Sequence, residues 1–158
     1  MTDARFEDAE EGPLRLIAQD VEGLSVLSTL LQDAIFPITE MTYAAKRHRF
    51  AMLLNRFRWE DRDAAERQKR GFERVQSLLV FEDVLTVKTQ GIDRKDSDTV
   101  LSLLSITFIP SEFGAGQIEI ILAGDGAIAL QIEALDATLR DVSRPYLAPS
   151  RQVPTHEE

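Results

Sequence analysis

Residues 117–132 read QIEIILAGDGAIALQI, and this stretch decides the fold because its two halves are patterned as the arms of a β-hairpin. The turn residues Gly124, Asp125 and Gly126 lie between the arms. A two-residue loop would put the apolar residues of the arms on opposite faces, whereas a three-residue loop unites the largest of them. We therefore expect a three-residue loop with Gly126 at positive φ. The expected buried face consists of Ile118, Ile120, Leu122, Ile128, Leu130 and Ile132.

Outward from the hairpin, the pattern predicts an α+β fold, with a mostly antiparallel sheet and one helix near each end. Asp20 is a good N-cap for a helix whose apolar residues recur every three or four positions up to Ala34. The same spacing over residues 132–142 predicts a C-terminal helix that ends before Pro145. Further strands are expected at residues 14–18, 36–43, 49–59, 72–81, 84–90 and 104–108.

A strongly bent sheet or barrel closed by a C-terminal helix would be pleckstrin-homology-like. The alternative is an open sheet with both helices packed on one face. The domain is expected over residues 14–144, with a disordered acidic tail at residues 1–13 and a disordered tail at residues 145–158.

Composition excludes several classes of protein. The 158 residues include no cysteine, so thiolate nucleophiles, disulfides and cysteine-ligated metals are ruled out. The acidic N-terminus is no signal peptide, and no apolar stretch reaches the length that spans a bilayer. We therefore expect a cytoplasmic protein that does not bind membranes. The net charge of −9 also argues against nucleic acid, because phosphates are bound by clusters of lysine and arginine.

The charge is unevenly distributed along the chain. Residues 44–74 contain ten basic and five acidic side chains, so this segment carries +5 while the remainder carries −14. Within it, Arg56 and Arg58 alternate with Phe57 and Trp59, which would place both arginines on one face of a strand. Such a face could bind a phosphate or an acidic protein surface. The expected anion-binding residues are Lys46, Arg47, Arg49, Arg56 and Arg58.

The sequence contains no recognisable catalytic or metal-binding motif. His48 lies in a basic turn without a local carboxylate partner, which is typical of an exposed turn residue. Neither a nucleophile elbow nor a phosphate-cradling glycine loop is present. The acidic cluster Asp93, Asp96 and Asp98 lacks the central glycine and closing glutamate of a calcium loop. No catalytic residue, metal or cofactor is therefore predicted.

Several stretches resemble a family of small alphaproteobacterial proteins classified as a domain of unknown function. The resemblance covers residues 14–142 and assigns no activity and no site residue. It is carried by LQDAI (31–35), LNRFRWE (54–60), KRGFERV (69–75), GIDRKDSDTVLSLLSITF (91–108) and AGDGAIALQIEALDATL (123–139).

The sequence thus favours a non-enzymatic interaction or regulatory module that binds a protein partner. The alternative is a protein that binds a small anion or phosphometabolite through the basic segment 44–74. A third hypothesis is an enzyme that uses carboxylates alone, which would need a deep cavity holding a carboxylate with a raised pKa. The oligomeric state is left open.

Overall fold

The fold is a mostly antiparallel sheet, seen in a computed structural model that describes residues 12–93 and 95–148. These residues form eleven strands and two short α-helices. The strands are β1 (Arg15–Ala18), β2 (Ile35–Pro37), β3 (Met41–Ala44), β4 (Arg49–Phe57), β5 (Glu73–Phe81), β6 (Val84–Gln90), β7 (Val100–Pro110), β8 (Gly116–Leu122), β9 (Ala127–Ile132), β10 (Ala137–Asp141) and β11 (Tyr146–Leu147). The helices are α1 (Val21–Leu30) and α2 (Arg62–Arg67), and short 3-10 turns span Ile38–Glu40, Ala45–Arg47 and Trp59–Asp61.

The strands form an open sheet in the order β1-β10-β5-β4-β2-β7-β8-β9-β6, while β3 pairs with β4 and β11 with β5. The β5–β10 ladder ends at the pair Phe81–Ala137, and the β6–β9 ladder begins at the pair Val84–Ile132. The chain bends between β5 and β6 and between β9 and β10. Both bends therefore fall at the same level, where Asp83 has a φ of 57°. The bends let the two halves of the sheet bury their inner faces against each other.

Strand β7 also connects the two halves of the sheet, because it pairs with a strand from each half. Its first residues pair with β2 and its later residues with β8, with a register shift between Leu103 and Ser105. A second register shift lies between Val84 and Thr86, next to the bend between β5 and β6. Bulges of this kind bend and twist a strand, which is why they fall where the sheet turns.

The predicted hairpin face is confirmed, and the apex is shifted by one residue. Its six large apolar residues, from Ile118 to Ile132, are all buried in one core. The pair Ile121–Ala127 and the hydrogen bond from the Leu122 N–H to the Gly126 carbonyl leave residues 123–125 as the loop. Positive φ values occur at Gly124 (78°) and Asp125 (67°), so the prediction for Gly126 was wrong.

Helix α1 forms where the spacing predicts it and covers one end of the core. The Asp20 side chain accepts a hydrogen bond of 2.7 Å from the Gly23 N–H, which caps the first turn. Leu24 and Leu27 of the helix and the following Leu31 are almost completely buried in the core. The helix is shorter than predicted, because β2 begins at Ile35.

The predicted C-terminal helix is wrong. Residues 137–141 form β10, which pairs with β1 on one side and β5 on the other. The spacing of Leu135 and Leu139 suits a helix, but Leu135, Ala137 and Leu139 also alternate as in a strand, and all three are buried. The strand pattern prevails because residues 137–141 form backbone ladders with both β1 and β5. The pleckstrin-homology-like arrangement thereby loses its closing helix.

Other predicted boundaries differ in detail. The expected strand at residues 36–43 is divided into β2 and β3 by the 3-10 turn Ile38–Glu40. Strand β11 lies beyond the predicted domain end at residue 144 and pairs with β5. Of the tails expected at residues 1–13 and 145–158, residues 1–11 and 149–158 lie outside the described residues.

Candidate functional site

Arg56 points into the protein rather than along a solvent-facing sheet. It continues the inner row of β4 that begins with Phe50, Met52 and Leu54, and it is completely buried. Arg58 follows just beyond the end of the strand and is only 6% exposed. A buried guanidinium requires compensating charge and hydrogen bonds, so the surroundings of these two arginines define the most specialised polar site in the described part of the chain.

Arg56 is held by partners from three elements. Its Nη1 and Nη2 donate to the two carboxylate oxygens of Glu60 over 2.9 and 2.8 Å. Its Nε and Nη2 donate to the carboxylate of Asp141 at the end of β10 over 3.1 and 3.0 Å. Ser77 on β5 accepts a further bond from Nε and donates to Asp141 over 2.7 Å. Two bidentate carboxylates therefore fix the guanidinium plane.

A second layer of charges covers this inner group. Arg58 donates a hydrogen bond of 2.7 Å to Glu73. Arg70 donates two hydrogen bonds, of 2.7 and 2.6 Å, to the carboxylate of Asp61. Arg70 also reaches Glu73 over 3.4 Å. We call the eight side chains the arginine–carboxylate network: Arg56, Arg58, Glu60, Asp61, Arg70, Glu73, Ser77 and Asp141.

The network shifts the pKa values of its members in different directions. Burial lowers the pKa of Arg56, but the hydrogen bonds to Glu60 and Asp141 outweigh it, so the pKa is raised overall. Hydrogen bonds from Arg70 hold the pKa of Asp61 below its ordinary value. Burial and the neighbouring Asp61 raise the pKa of Glu73. Asp61 thus favours the native state once ionised, while Glu73 favours it most when protonated.

An open cavity of about 420 Å³ adjoins the network. Arg58, Glu73 and Asp141 reach it from the network, and Ser143 and Arg144 line it from the segment after β10. Asp141 is fully used by its partners, since it also accepts the Leu14 N–H over 2.8 Å. Glu73 has a raised pKa and lines this cavity, but the cavity is open, whereas the carboxylate-enzyme hypothesis required a deep one.

The five residues predicted to bind an anion lie at two ends of β4. Arg56 and Arg58 belong to the network at its far end, whereas Lys46 and Arg47 occupy the exposed 3-10 turn before its first residue. Arg49 forms an ion pair of 2.5 Å with Glu82. His48, which has a φ of 52°, lies within 3.2 Å of the Val84 carbonyl through Nδ1. The structure therefore brings two of the five together and separates them from the other three.

The outer face of the sheet carries a different feature. We call Ile17, Ala51, Leu53, Leu78 and Val80 the outer apolar strip, because they share the face of β1, β4 and β5 that points away from the core. Ile17 is 56% exposed, and the other four are half-buried. Arg15 and Arg140 form a direct cross-strand pair beside the strip, and both are exposed. Neither has an ion-pair partner among the described residues.

These features define a mostly antiparallel sheet protein that is organised around a buried arginine–carboxylate network. Among residues 12–93 and 95–148, no helix is long and apolar enough to cross a membrane, and no three acidic, histidine or cysteine side chains are grouped to hold a metal ion. The chain belongs to the family described as proteins of unknown function (DUF2948), whose model matches residues 14–156. Membership of a family of unknown function is thereby confirmed, while the alphaproteobacterial origin stays a prediction. No curated protein and no solved structure matches the chain.

Proposed function

We propose that this protein is a non-enzymatic module that binds a partner protein through the outer apolar strip. The observation that carries the proposal is the group of paired apolar side chains on the outer face of β5 and β4, which Thr138 of β10 separates from Ile17 on β1. Leu53, Leu78 and Val80 are only partly buried and lie outside the main core cluster, so covering their remaining apolar surface with a partner would gain hydrophobic free energy.

The flanking charges specify the chemistry of the partner. Like charges directly opposite each other in a sheet repel, and Arg15 and Arg140 stand in that relation. A carboxylate between them would relieve the repulsion and form charge-assisted hydrogen bonds. The partner surface that fits therefore combines apolar side chains with at least one acidic residue. Arg15 and Arg140 give it local attraction despite the net charge of −9.

Replacing Leu78 with glutamate is expected to weaken partner binding at least about tenfold while leaving the melting temperature nearly unchanged. The new carboxylate would lie opposite Arg140, its cross-strand partner, and would occupy the place of the partner's acid. The measurement is affinity capture from native extract, followed by titration of the captured protein with wild type and variant.

Gln76→Glu is the matched control, because it adds the same charge to the exposed side of the same strand outside the strip. It should bind within about twofold of wild type. Equal binding by the Leu78→Glu variant would remove the support for this surface.

Binding of a small anion is the second candidate, and the cavity favours it. Arg58 and Arg144 line the cavity and would supply the positive charge that attracts an anion. The cationic residues of this candidate thus differ from the predicted set, since Arg144 replaces Lys46, Arg47 and Arg49. Arg56 is already saturated by Glu60 and Asp141.

Inorganic phosphate is expected to raise the melting temperature by a few degrees. Arg144→Ala should abolish the rise in melting temperature, because it removes a cation that lines the cavity. Arg144 is exposed, so its side chain can be removed without unfolding the protein. A variant lacking both Lys46 and Arg47 is the control and should keep the full rise. No rise with phosphate, or a rise lost only in the control variant, would argue against the cavity.

A further inference from the structure

The tip of the β7–β8 hairpin presents a single aromatic side chain to solvent. Phe113 is 100% exposed. Two backbone hydrogen bonds hold the tip, one of 2.8 Å from the Ser111 N–H to the Ala115 carbonyl and one of 3.1 Å from the Ala115 N–H to the Glu112 carbonyl. The ring is therefore presented by an ordered turn between two long paired strands.

The backbone conformation of Phe113 is also energetically unfavourable. Its φ is 58° and that of Gly114 is 80°, so both central residues of the turn Glu112–Ala115 are left-handed. Tight hairpin turns with two such residues favour Asn-Gly, because asparagine tolerates the left-handed region and glycine has no Cβ. A bulky aromatic residue in this conformation is a genuine outlier that costs on the order of 1 kcal/mol.

Two costs thus coincide in one residue, and neither is offset within the described part of the protein. A fully exposed phenyl ring gains no packing, and the backbone strain would be relieved by asparagine. Strained residues of this kind cluster where a protein makes contact with a ligand or partner. The turn also keeps the ring in place before binding, so little conformational entropy would be lost when it is buried.

We propose that Phe113 is an anchor residue that inserts into an apolar pocket of the partner protein. The inference rests on the proposed function and adds a second contact, on a different element from the outer apolar strip. The exposed Glu112 precedes the ring, so the fitting pocket has a cationic residue at its rim. The same carboxylate, with the net charge of −9, disfavours an anionic membrane as the occupant.

The test separates binding from stability in the full-length protein. A photoreactive benzophenone amino acid at position 113 should crosslink a protein in native extract, and the same probe at Lys69 should not. Lys69 is a suitable control because it is also exposed and left-handed, with a φ of 53°. The crosslinked protein is then purified and titrated with wild type and variants.

Phe113→Asn is expected to weaken binding at least about tenfold and to raise the melting temperature slightly, a combination that loss of structure cannot produce. Phe113→Trp keeps an aromatic anchor and should bind within about threefold of wild type. Binding of Phe113→Asn within about twofold of wild type would overturn the inference.

The remaining outcomes are also decisive. If a benzophenone at Val80 crosslinks a partner and one at position 113 does not, the anchor is wrong while the outer apolar strip stands. If neither position crosslinks a protein, both proposals fail. If phosphatidylcholine vesicles bind the wild type but not Phe113→Asn, the ring inserts into a lipid surface and the partner pocket is refuted.

Discussion

Replacing Arg56 with methionine is expected to lower the free energy of unfolding by about 3–5 kcal/mol. Methionine fills much of the arginine volume, but it leaves the carboxylates of Glu60 and Asp141 without their shared cation. The Asp141 side chain is only 4% exposed and the Glu60 side chain 10%, so water cannot easily replace the guanidinium. Urea denaturation of wild type and variant measures the difference.

Arg62→Met is the matched control for this loss. Arg62 pairs with Asp63 at the surface, where both side chains are largely exposed, and such pairs contribute about 0–1 kcal/mol. A loss below about 1 kcal/mol for Arg56→Met would mean that water reaches the network and replaces its charges. The expected instability also makes Arg56 unsuitable for testing anion binding by mutation.

Replacing Phe81 with alanine is expected to cost about 3–5 kcal/mol of stability. Phe81 is 1% exposed and is the last residue of β5 before the bend. It pairs with Phe50 on β4 and Ala137 on β10, so its ring lies where three strands meet. A cavity here would affect both halves of the sheet, and thermal or urea unfolding would measure the loss.

Phe113→Ala makes the same chemical change at a fully exposed position and serves as the control. Its stability should stay within about 0.5 kcal/mol of wild type. Similar losses in both variants would mean that the tip of the β7–β8 hairpin is packed against the rest of the protein, which would contradict the anchor proposal as well.

The parts of the fold that sequence predicts are those determined by neighbouring residues. The hairpin face followed from strict alternation on both sides of a glycine-rich turn, and α1 followed from its cap and its spacing. The apex was missed by one residue, because either of two glycines could supply a positive φ and only the pairing of Ile121 with Ala127 decides between them.

The errors arose where distant segments decide the structure. The last turn of the predicted C-terminal helix has helical spacing, but both β1 and β5 need a strand between them, and residues 137–141 fill the gap. The local preference of these residues for a helix is weak, and two complete ladders of backbone hydrogen bonds outweigh it.

The arginine–carboxylate network was missed for the same reason. The sequence shows that Arg56 and Arg58 alternate with aromatic residues, but it does not show whether the arginines face the core or the solvent. Arginines that face the core need partners that the local sequence does not reveal. Glu60 is four positions away and could have been suspected, whereas Asp141 is 85 positions away. An arginine at the end of a row of buried apolar residues was the available signal, since Phe50, Met52 and Leu54 precede Arg56 at alternate positions.

Asp141 has a consequence for the order in which the chain can fold as it is synthesised. It accepts the N–H of Leu14, 127 positions earlier, and completes the shell around Arg56. A nascent chain that ends before β10 therefore contains β4 and β5 but has only part of the counter-charge that lets Arg56 leave water. Because domains fold as units, we expect this one to complete its folding only after β10 has been synthesised. The arginine–carboxylate network is therefore complete only when β10 joins β1, β4 and β5.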